Sequence, residues 1–276
     1  MIKATNLVKQ YGSTKAVNRV SFEVATGQNL ILLGPSGCGK TTTLRMINRL
    51  VLPDSGALFI NEIDVMKQPV EQLRRGIGYV LQHHGLFPHY TVAENVAIVP
   101  KLLKWEAQKI KVRAEELFTK LNLDQSLINK YPSALSGGQQ QRVGLVRALM
   151  VNPPVLLMDE PFGALDNLTR ISIRKEFREL DELRNKTTVM VTHDIQEAFE
   201  MGDVICLMNK GEVMQIGSPD ALLHHPANDF VADFLKDQRL LLALKFFKLG
   251  EQSAWEAMNT MAEGELNILL RSTFKL

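Results

Sequence analysis

Apolar runs and alternating apolar positions near the start of the chain predict three β-strands. They cover residues 2–8, 20–24 and 29–33, and the third leads directly into a glycine-rich loop. From residue 40 to residue 49 the apolar positions recur with the spacing of an α-helix. The sequence therefore predicts the order strand, glycine loop, helix for this part of the chain.

The middle of the chain has a helical and charged pattern. Between about residues 92 and 123 the apolar side chains available for a buried stripe are Trp105, Ile110, Leu117 and Leu121. We expect this helical segment to interrupt a strand-rich fold.

Strands and helices alternate again after the Pro153-Pro154 pair. The predicted strands cover residues 155–158, 187–192 and 204–208, and the predicted helices cover residues 167–184, a short stretch from 195 and two segments that end near 236. Such alternation predicts a largely parallel sheet covered by helices, with the ligand at the carboxyl ends of its strands.

The composition is that of a globular protein and favours no polyanionic partner. Among 276 residues, 32 lysines and arginines face 30 acidic residues, and the net charge is +2, so nucleic acid is not favoured. The N-terminus lacks the layout of a secretory signal, and no apolar run approaches the roughly 18 residues that cross a bilayer. We expect a cytosolic chain that does not itself cross a membrane, with Cys38 and Cys206 as reduced thiols.

The sequence GPSGCGKTT has the spacing of a phosphate-binding loop. Backbone N–H groups at the helix start are expected to hold phosphates, Lys40 to supply charge, and Thr41 to offer its hydroxyl to Mg²⁺. A plain glycine-rich turn is the alternative, but motif, strand and helix coincide.

Cys38, near the helix N-terminus, is expected to favour the thiolate, so that alkylation blocks nucleotide binding. The candidate nucleotide-binding residues of the loop are Gly34, Pro35, Ser36, Gly37, Cys38, Gly39, Lys40, Thr41 and Thr42.

Two adjacent acids end the apolar strand of PVLLMDEP. Successive strand residues point to opposite sides, so we expect Asp159 to serve the metal and Glu160 to orient or deprotonate the attacking water. A pair of surface acids is the alternative. His193 ends another strand at the same edge of the sheet, where it is either catalytic or structural.

Two further residues are candidates with a plain alternative each. Gln82 follows the strand-like GYVL, where a glutamine reaches either Mg²⁺ and water or only solvent. Tyr11 follows the first strand, where its ring either stacks on an adenine or packs on the rim of the sheet.

A second anion-binding sequence, LSGGQ, lies almost a hundred residues after the first. Its Ser136 and the N–H groups of Gly137 and Gly138 open a helical stretch and suit an anion. The sequence therefore raises the question of why one chain carries two phosphate cradles.

Together these motifs resemble the nucleotide-binding subunit of an ATP-binding cassette (ABC) transporter, over residues 1 to about 236. The resemblance implies an α/β fold with a RecA-like P-loop core, an N-terminal antiparallel β subdomain and an α-helical subdomain inserted at about 82–151. It also implies Mg²⁺-dependent ATP hydrolysis coupled to transport. The residues that carry the resemblance are Tyr11, the phosphate loop, Gln82, LSGGQ with Gln139, Asp159, Glu160, Ala164-Leu165-Asp166 and His193.

In this family two copies pack head to tail, so that LSGGQ of one closes over the ATP held by the loop of the other. Ser136, Gly137, Gly138 and Gln139 are therefore expected to contact nucleotide across a dimer, and the resemblance also implies that Asp166 is a nucleotide-binding residue. The second cradle then serves the nucleotide of the partner copy.

A finer resemblance is to importers of osmoprotectants such as glycine betaine, carnitine and choline. It rests on stretches such as LRMINRLVLPDSG, MDEPFGALDNLTR and HPANDFVADFLKDQRL. The resemblance implies a peripheral protein at the cytoplasmic face of the membrane, an integral permease contacted near residues 85–94, and a separate substrate-binding protein. Alternative hypotheses are an importer of an amino acid or another small solute, and a soluble cassette ATPase outside transport.

The chain departs from such subunits after about residue 236. They commonly continue into paired CBS modules, whereas residues 237–276 form only a short extension. Residues 253–271 resemble the opening of one CBS module, and a packed C-terminal helix is the hypothesis that we favour.

Overall fold

The structure is a computed structural model that describes residues 2–82, 85–163, 165–183, 185–239 and 241–242. Its strands are β1 (Ile2–Tyr11), β2 (Thr14–Val24), β3 (Asn29–Leu33), β4 (Ser55–Ile60), β5 (Ile63–Asp64), β6 (Ile77–Val80), β7 (Val155–Asp159), β8 (Thr187–Thr192), β9 (Val204–Asn209) and β10 (Glu212–Gly217). Its α-helices are α1 (Lys40–Ile47), α2 (Val70–Arg75), α3 (Val92–Leu102), α4 (Ala107–Lys120), α5 (Gly137–Leu149), α6 (Asn167–Glu179), α7 (Ile195–Met201), α8 (Pro219–His224) and α9 (Asp229–Leu235).

The described strands form two sheets. The smaller sheet is antiparallel with the order β2-β1-β4-β5. The larger sheet has the order β10-β9-β3-β8-β7-β6, in which β9 to β6 run parallel and β10 pairs antiparallel with β9. The prediction of a largely parallel sheet with an antiparallel β part near the N-terminus is confirmed.

Both faces of the larger sheet are buried. In β3, Leu30 and Leu32 belong to an apolar cluster shared with β1, β2, β4 and α1, whereas Ile31 and Leu33 belong to a cluster shared with helices α3 to α9. Side chains of a strand alternate between faces, so a strand covered on both sides needs few polar positions. This explains why the central strands are mostly apolar and β-branched in the sequence.

The first two strands are longer than the sequence predicted. β1 continues to Tyr11, which pairs with Thr14 across a tight turn that contains Gly12 in the left-handed conformation (φ 56°). The outer half of this hairpin is mostly exposed and polar. Antiparallel strands that are exposed to solvent do not need alternating apolar residues, so the sequence of this half does not show the pattern of a strand.

The predicted helical segment contains two helices, α3 and α4. Between α3 and α4 the chain turns at Lys104, which has a positive φ of 56°. Leu117 is buried as predicted, but the ring of Trp105 lies at the turn, half-buried, with Lys109 Nζ 4.0 Å from its centroid. Trp105 is therefore a partner for a cation rather than a member of the buried stripe.

Helices α3, α4 and α5 all lie between β6 and β7 in the chain. The exact boundaries of this helical part, about 82–151, and of the main domain, 1–236, stay predictions. Residues 253–271, which were compared with a CBS module, lie outside the described residues. No helix among the described residues has both the length and the apolar character to span a bilayer.

An ionic cluster joins the helical part to the core. Glu182, in a 3₁₀ turn after α6, accepts hydrogen bonds from Arg113 Nη2 at 2.9 Å and from Lys120 Nζ at 2.5 Å, both on α4. These hydrogen bonds, led by that from Arg113, lower the pKa of Glu182 from 4.5 to about 2, although burial opposes them. The cluster therefore stabilises the contact between the two parts of the fold only while Glu182 is ionised.

Glu182→Gln is expected to lower the free energy of unfolding at pH 7 by about 1–3 kcal/mol, because the substitution removes the negative charge that accepts hydrogen bonds from Arg113 and Lys120. The folded pKa lies below the unfolded one, so this contribution is fully present above pH 4.5 and disappears as the pH falls toward 2. Urea unfolding at a series of pH values measures it. Glu115→Gln is the control, since its exposed pair with Lys111 spans 3.9 Å. The same pH dependence in Glu182→Gln and the unmodified chain would contradict the assignment.

Candidate functional site

The glycine-rich loop connects β3 to α1 and can be built only with glycine at two positions. Gly34 has φ 145°, and a Cβ there would lie 2.2 Å from the carbonyl oxygen of Met208. Gly39 has φ 103°, and a Cβ there would lie 2.2 Å from the carbonyl oxygen of Ala16. Gly39 is also the N-cap of α1, and glycine has no side chain that could accept a hydrogen bond from the helix. The first N–H groups of α1 therefore have no side-chain cap and suit an anion.

Lys40 lies inside this loop. Its side chain is almost fully buried, and Nζ donates to the carbonyl oxygens of Gly34 at 2.7 Å and Pro35 at 2.9 Å. Ser36 and Gly37 are exposed, and Thr42 is half-buried on the first turn of the helix. The loop thus holds one ammonium group beside the helix start, which is the charge arrangement that a phosphate requires.

The expectation that Cys38 favours the thiolate is wrong. The residue is buried, and this burial raises the pKa of its thiol, although the nearby Lys40 opposes the shift. A buried thiol with a raised pKa is a poor nucleophile. Its position in the loop is instead that of a small packed side chain, 3.8 Å from Lys40 Nζ.

Asp159 ends β7 with its carboxylate directed at the loop. Oδ1 accepts a hydrogen bond from Thr41 Oγ1 at 2.8 Å, and Oδ2 lies 3.6 Å from Arg45 Nη2. Burial raises the pKa of this carboxyl, while Thr41 and Arg45 act in the opposite direction. Hydroxyl and carboxylate oxygens side by side are a donor set that fits Mg²⁺. Within the described ranges no three His, Cys, Asp or Glu side chains gather around one point.

Glu160 is the meeting point of three segments. Its Oε2 accepts from Gln82 Nε2 at 3.1 Å and lies 3.2 Å from His193 Nδ1. These residues follow β6, β7 and β8, which are neighbours in the parallel sheet, so their carboxyl ends meet at one edge. Glu160 itself has a positive φ of 45°, an unusual conformation for a non-glycine residue that is typical of functional sites. Asp159 and Glu160 thus have different partners.

The LSGGQ segment forms the start of α5. Ser136 is its exposed N-cap: its hydroxyl accepts from Gln139 N at 3.3 Å, and its own N–H donates to Gln139 Oε1 at 2.9 Å. Gly137 is also exposed, whereas a Cβ on Gly138 would lie 3.0 Å from Thr169 Cγ2 on α6. The contacts that the structure describes for this segment therefore lie within the helical part and α6, not at the glycine loop.

Asp166 and Tyr11 have described contacts of their own within their elements. Asp166 is the N-cap of α6 and accepts from Thr169 N at 3.1 Å. Tyr11 is the last residue of β1, with a ring that is 51% exposed and 5.5 Å from Lys9 Nζ. Its face is therefore accessible rather than packed on the sheet.

Sequence reasoning missed some of the residues that shape this site. Arg45 lies four residues after Thr41 on α1, so the two share a face of the helix, and this i,i+4 spacing was the available signal. Tyr79 on β6 is half-buried near Asp159, and this partial burial together with that carboxylate raises the pKa of its phenol. No local pattern distinguishes Tyr79 from a core aromatic.

A phosphate loop before a helix, with carboxylates at the ends of neighbouring parallel strands, defines a P-loop nucleotide-binding protein. Residues 17–163 match the family model described as ABC transporter. The chain belongs to the ABC transporter family.

Individual relatives within this family are ATP-binding proteins of named transport systems. The chain is 50% identical over 242 residues to the glycine betaine/carnitine/choline transport ATP-binding protein OpuCA of Bacillus subtilis (strain 168), covering 87% of this chain and 64% of that protein. It is 45% identical over 265 residues to the glycine betaine uptake system ATP-binding protein YehX of Escherichia coli (strain K12), covering 96% of this chain and 85% of that protein. The chain thus spans less than two thirds of the length of the first relative.

A solved structure shows the same fold. It is a dimeric, post-hydrolysis ATP-binding cassette bound to ADP and Pi, 35% identical in sequence, with a TM-score of 0.71. The match covers 79% of this chain and 98% of that chain. The predicted fold class is therefore confirmed.

Proposed function

We propose that this chain is the ATP-hydrolysing subunit of an importer that takes up a quaternary-amine osmoprotectant through a separate membrane permease. The observation that carries the hydrolysis part of this proposal is the position of the Glu160 carboxylate. Gln82 and His193 hold it at the same sheet edge as the phosphate loop and the Asp159–Thr41 pair.

The site residues divide the chemistry among them. The loop N–H groups and Lys40 bind the phosphates of ATP, while Thr41, Asp159 and the amide oxygen of Gln82 would hold Mg²⁺. The metal ion supplies positive charge that neutralises the phosphate oxygens. Glu160 accepts a proton from the attacking water, and His193 keeps that carboxylate in place.

Two copies of the chain complete each site. Ser136 and the N–H groups of Gly137 and Gly138 lie at an exposed helix N-terminus, available to a phosphate carried by another molecule. Gln139 fixes this helix start through the capping box, and Asp166 begins the neighbouring helix α6. The dimeric cassette structure with ADP and Pi supports a dimer of this chain. Tyr11 offers its exposed face to the adenine.

The permease contacts the segment before α3. Phe87 and Tyr90 are exposed there with ring centroids 5.5 Å apart, and the buried Asn95 holds the loop through hydrogen bonds with the main chain of Phe87, Tyr90 and Thr91. An ordered loop that presents aromatic rings suits an apolar partner element. The permease keeps the subunit at the cytoplasmic face of the membrane, and the substrate-binding protein acts through it.

The transported solute is contacted by other protein chains, so its identity is inferred from the relatives rather than from residues of this chain. The relatives carry names for glycine betaine, carnitine and choline transport or uptake. The chemical class that these solutes share is a quaternary ammonium group.

Uptake of radiolabelled glycine betaine tests the function in cells that lack the native copy and carry either the natural chain or Lys40→Ala. We expect uptake with the natural chain and only background with Lys40→Ala, since the loop loses its ammonium group. Lys3→Ala, at an exposed position, is the control. Excess unlabelled choline or carnitine should compete, whereas an amino acid without a quaternary ammonium should not. Uptake that is independent of Lys40 would overturn the proposal, and competition only by amino acids would overturn the cargo.

A further inference from the structure

His193 has an exposed side chain on a short turn. β8 ends at Thr192 and α7 begins at Ile195, so His193 lies between a strand and a helix. Its imidazole is 56% exposed, and the described contact of Nδ1 is with Glu160 Oε2 at 3.2 Å. A side chain that is so little packed depends on the main chain on either side for its position.

The hydroxyl of Thr192 connects both sides of this turn to α7. Thr192 is only 2% exposed; its Oγ1 donates to Glu197 Oε2 and accepts from the main-chain N–H of Asp194 at 3.0 Å. Asp194 in turn caps α7, since its Oδ1 accepts from Glu197 N at 3.0 Å. The residues before and after His193 are thus fastened to the first turn of one helix.

Glu197 is an unusual group to bury at this point. It is 4% exposed, and its second oxygen, Oε1, is buried without a hydrogen-bond partner among the described residues. Burial raises the pKa of Glu197 to about 7, although the bond from Thr192 opposes the shift. Burying a carboxyl group costs free energy, and Glu197 is hydrogen-bonded to Thr192, which precedes His193. We therefore infer that Glu197 has a role beyond packing in the core.

Charged groups from α6 surround the same turn. Arg170 Nη1 lies 3.7 Å from Asp194 Oδ2, and Arg174 Nε lies 3.3 Å from Glu200 Oε2 on α7. Arg170 also donates through Nη2 to the carbonyl oxygen of Leu165 at 3.0 Å, next to Asp166. The turn is therefore held from α6 as well as from α7.

We propose that Thr192 and Glu197 are positioning residues for His193, holding its main chain so that the imidazole meets the Glu160 carboxylate. Both side chains are almost fully buried, and they act on hydrolysis through the histidine alone. The expected effect on ATP hydrolysis rests on the proposed function, whereas the expected effect on the position of the His193 side chain does not.

A double-mutant cycle on ATP hydrolysis tests the kinetic consequence. Thr192→Val keeps the shape of the side chain and removes the hydroxyl, and we expect kcat to fall about tenfold with KM for ATP unchanged. In a His193→Ala background the same change should cost less than about twofold, because residues that act through one group are not additive. Thr192→Ser and Glu197→Gln, which keep a hydroxyl and a neutral hydrogen-bonding group, should retain most of kcat. Equal losses in both backgrounds would overturn the inference.

Thr188→Val is the matched control for the strand. Thr188 is also buried and lies four residues earlier on the same face of β8, away from His193. We expect kcat within about twofold of the natural chain, since the packing cost alone does not reach the site. A loss equal to that of Thr192→Val would overturn the inference.

Nuclear magnetic resonance of labelled imidazoles tests the structural consequence without hydrolysis. The chain has six histidines, and His193→Ala identifies the signal of His193. Thr192→Val should move or broaden that signal, whereas Thr188→Val should not. An unchanged signal in Thr192→Val would overturn the inference even if the natural chain hydrolyses ATP. Absence of hydrolysis in the natural chain with a displaced signal would instead count against the proposed function alone.

Discussion

Glu160→Gln is expected to lower kcat for ATP hydrolysis by about 10²–10⁴-fold, the contribution of a positioned general base. The substitution keeps the length of the side chain, so an amide oxygen can still accept from Gln82 or His193, 3.1 and 3.2 Å away in the natural chain. What disappears is the group that takes the proton of the attacking water. Lys40, Thr41 and Asp159 are untouched, so ATP affinity should stay within a few-fold.

The same variant should accumulate as an ATP-bound dimer, because binding draws two copies together and the step that releases them is slow. Light scattering with ATP and Mg²⁺ measures the mass, and a phosphate-release assay measures kcat. Glu23→Gln, at an exposed site beside Lys3, is the control and should behave like the natural chain. A kcat for Glu160→Gln within about threefold of the natural value, or a strictly monomeric variant with ATP, would contradict the assigned role.

The parallel sheet and the location of the site could be predicted because local patterns determine them. β3 and β8 were predicted with their observed bounds, since strands buried on both faces consist mostly of apolar and β-branched residues. Gln82, Glu160 and His193 each follow a strand, and parallel strands bring such residues to one edge. Which strands are neighbours was not predictable, yet the order β6-β7-β8 is what puts the three side chains in contact.

Contacts between distant segments could not be predicted. The bond of Arg113 to Glu182 spans 69 residues, and two charges so far apart in the chain carry no sequence signal. Cys38 was misjudged because a helix N-terminus favours the thiolate, whereas burial, which depends on the fold, outweighs it. β4 and α2 were not predicted, since short amphipathic elements at the edge of a fold have weak periodicity.

Gly39→Ala is expected to abolish nucleotide binding and to lower the free energy of unfolding by roughly 2–5 kcal/mol. The left-handed φ of 103° is unfavourable for alanine, and its Cβ would lie 2.2 Å from the carbonyl oxygen of Ala16. Ala16 belongs to β2, a paired strand, so relief must come from movement of the loop. Such a movement displaces the N–H groups at the start of α1 and the buried ammonium of Lys40, on which phosphate binding depends.

Gly37→Ala separates this clash from the general cost of a side chain in the loop. Gly37 also has a positive φ, 77°, but nothing lies within 4 Å of an added Cβ. The variant should therefore lose only about 1–2 kcal/mol from backbone strain and keep measurable ATP affinity. Titration with a fluorescent ATP analogue and urea unfolding of both variants give the comparison. Equal losses of affinity would mean that both glycines are required for the approach of the phosphate, and would refute the steric explanation from Ala16.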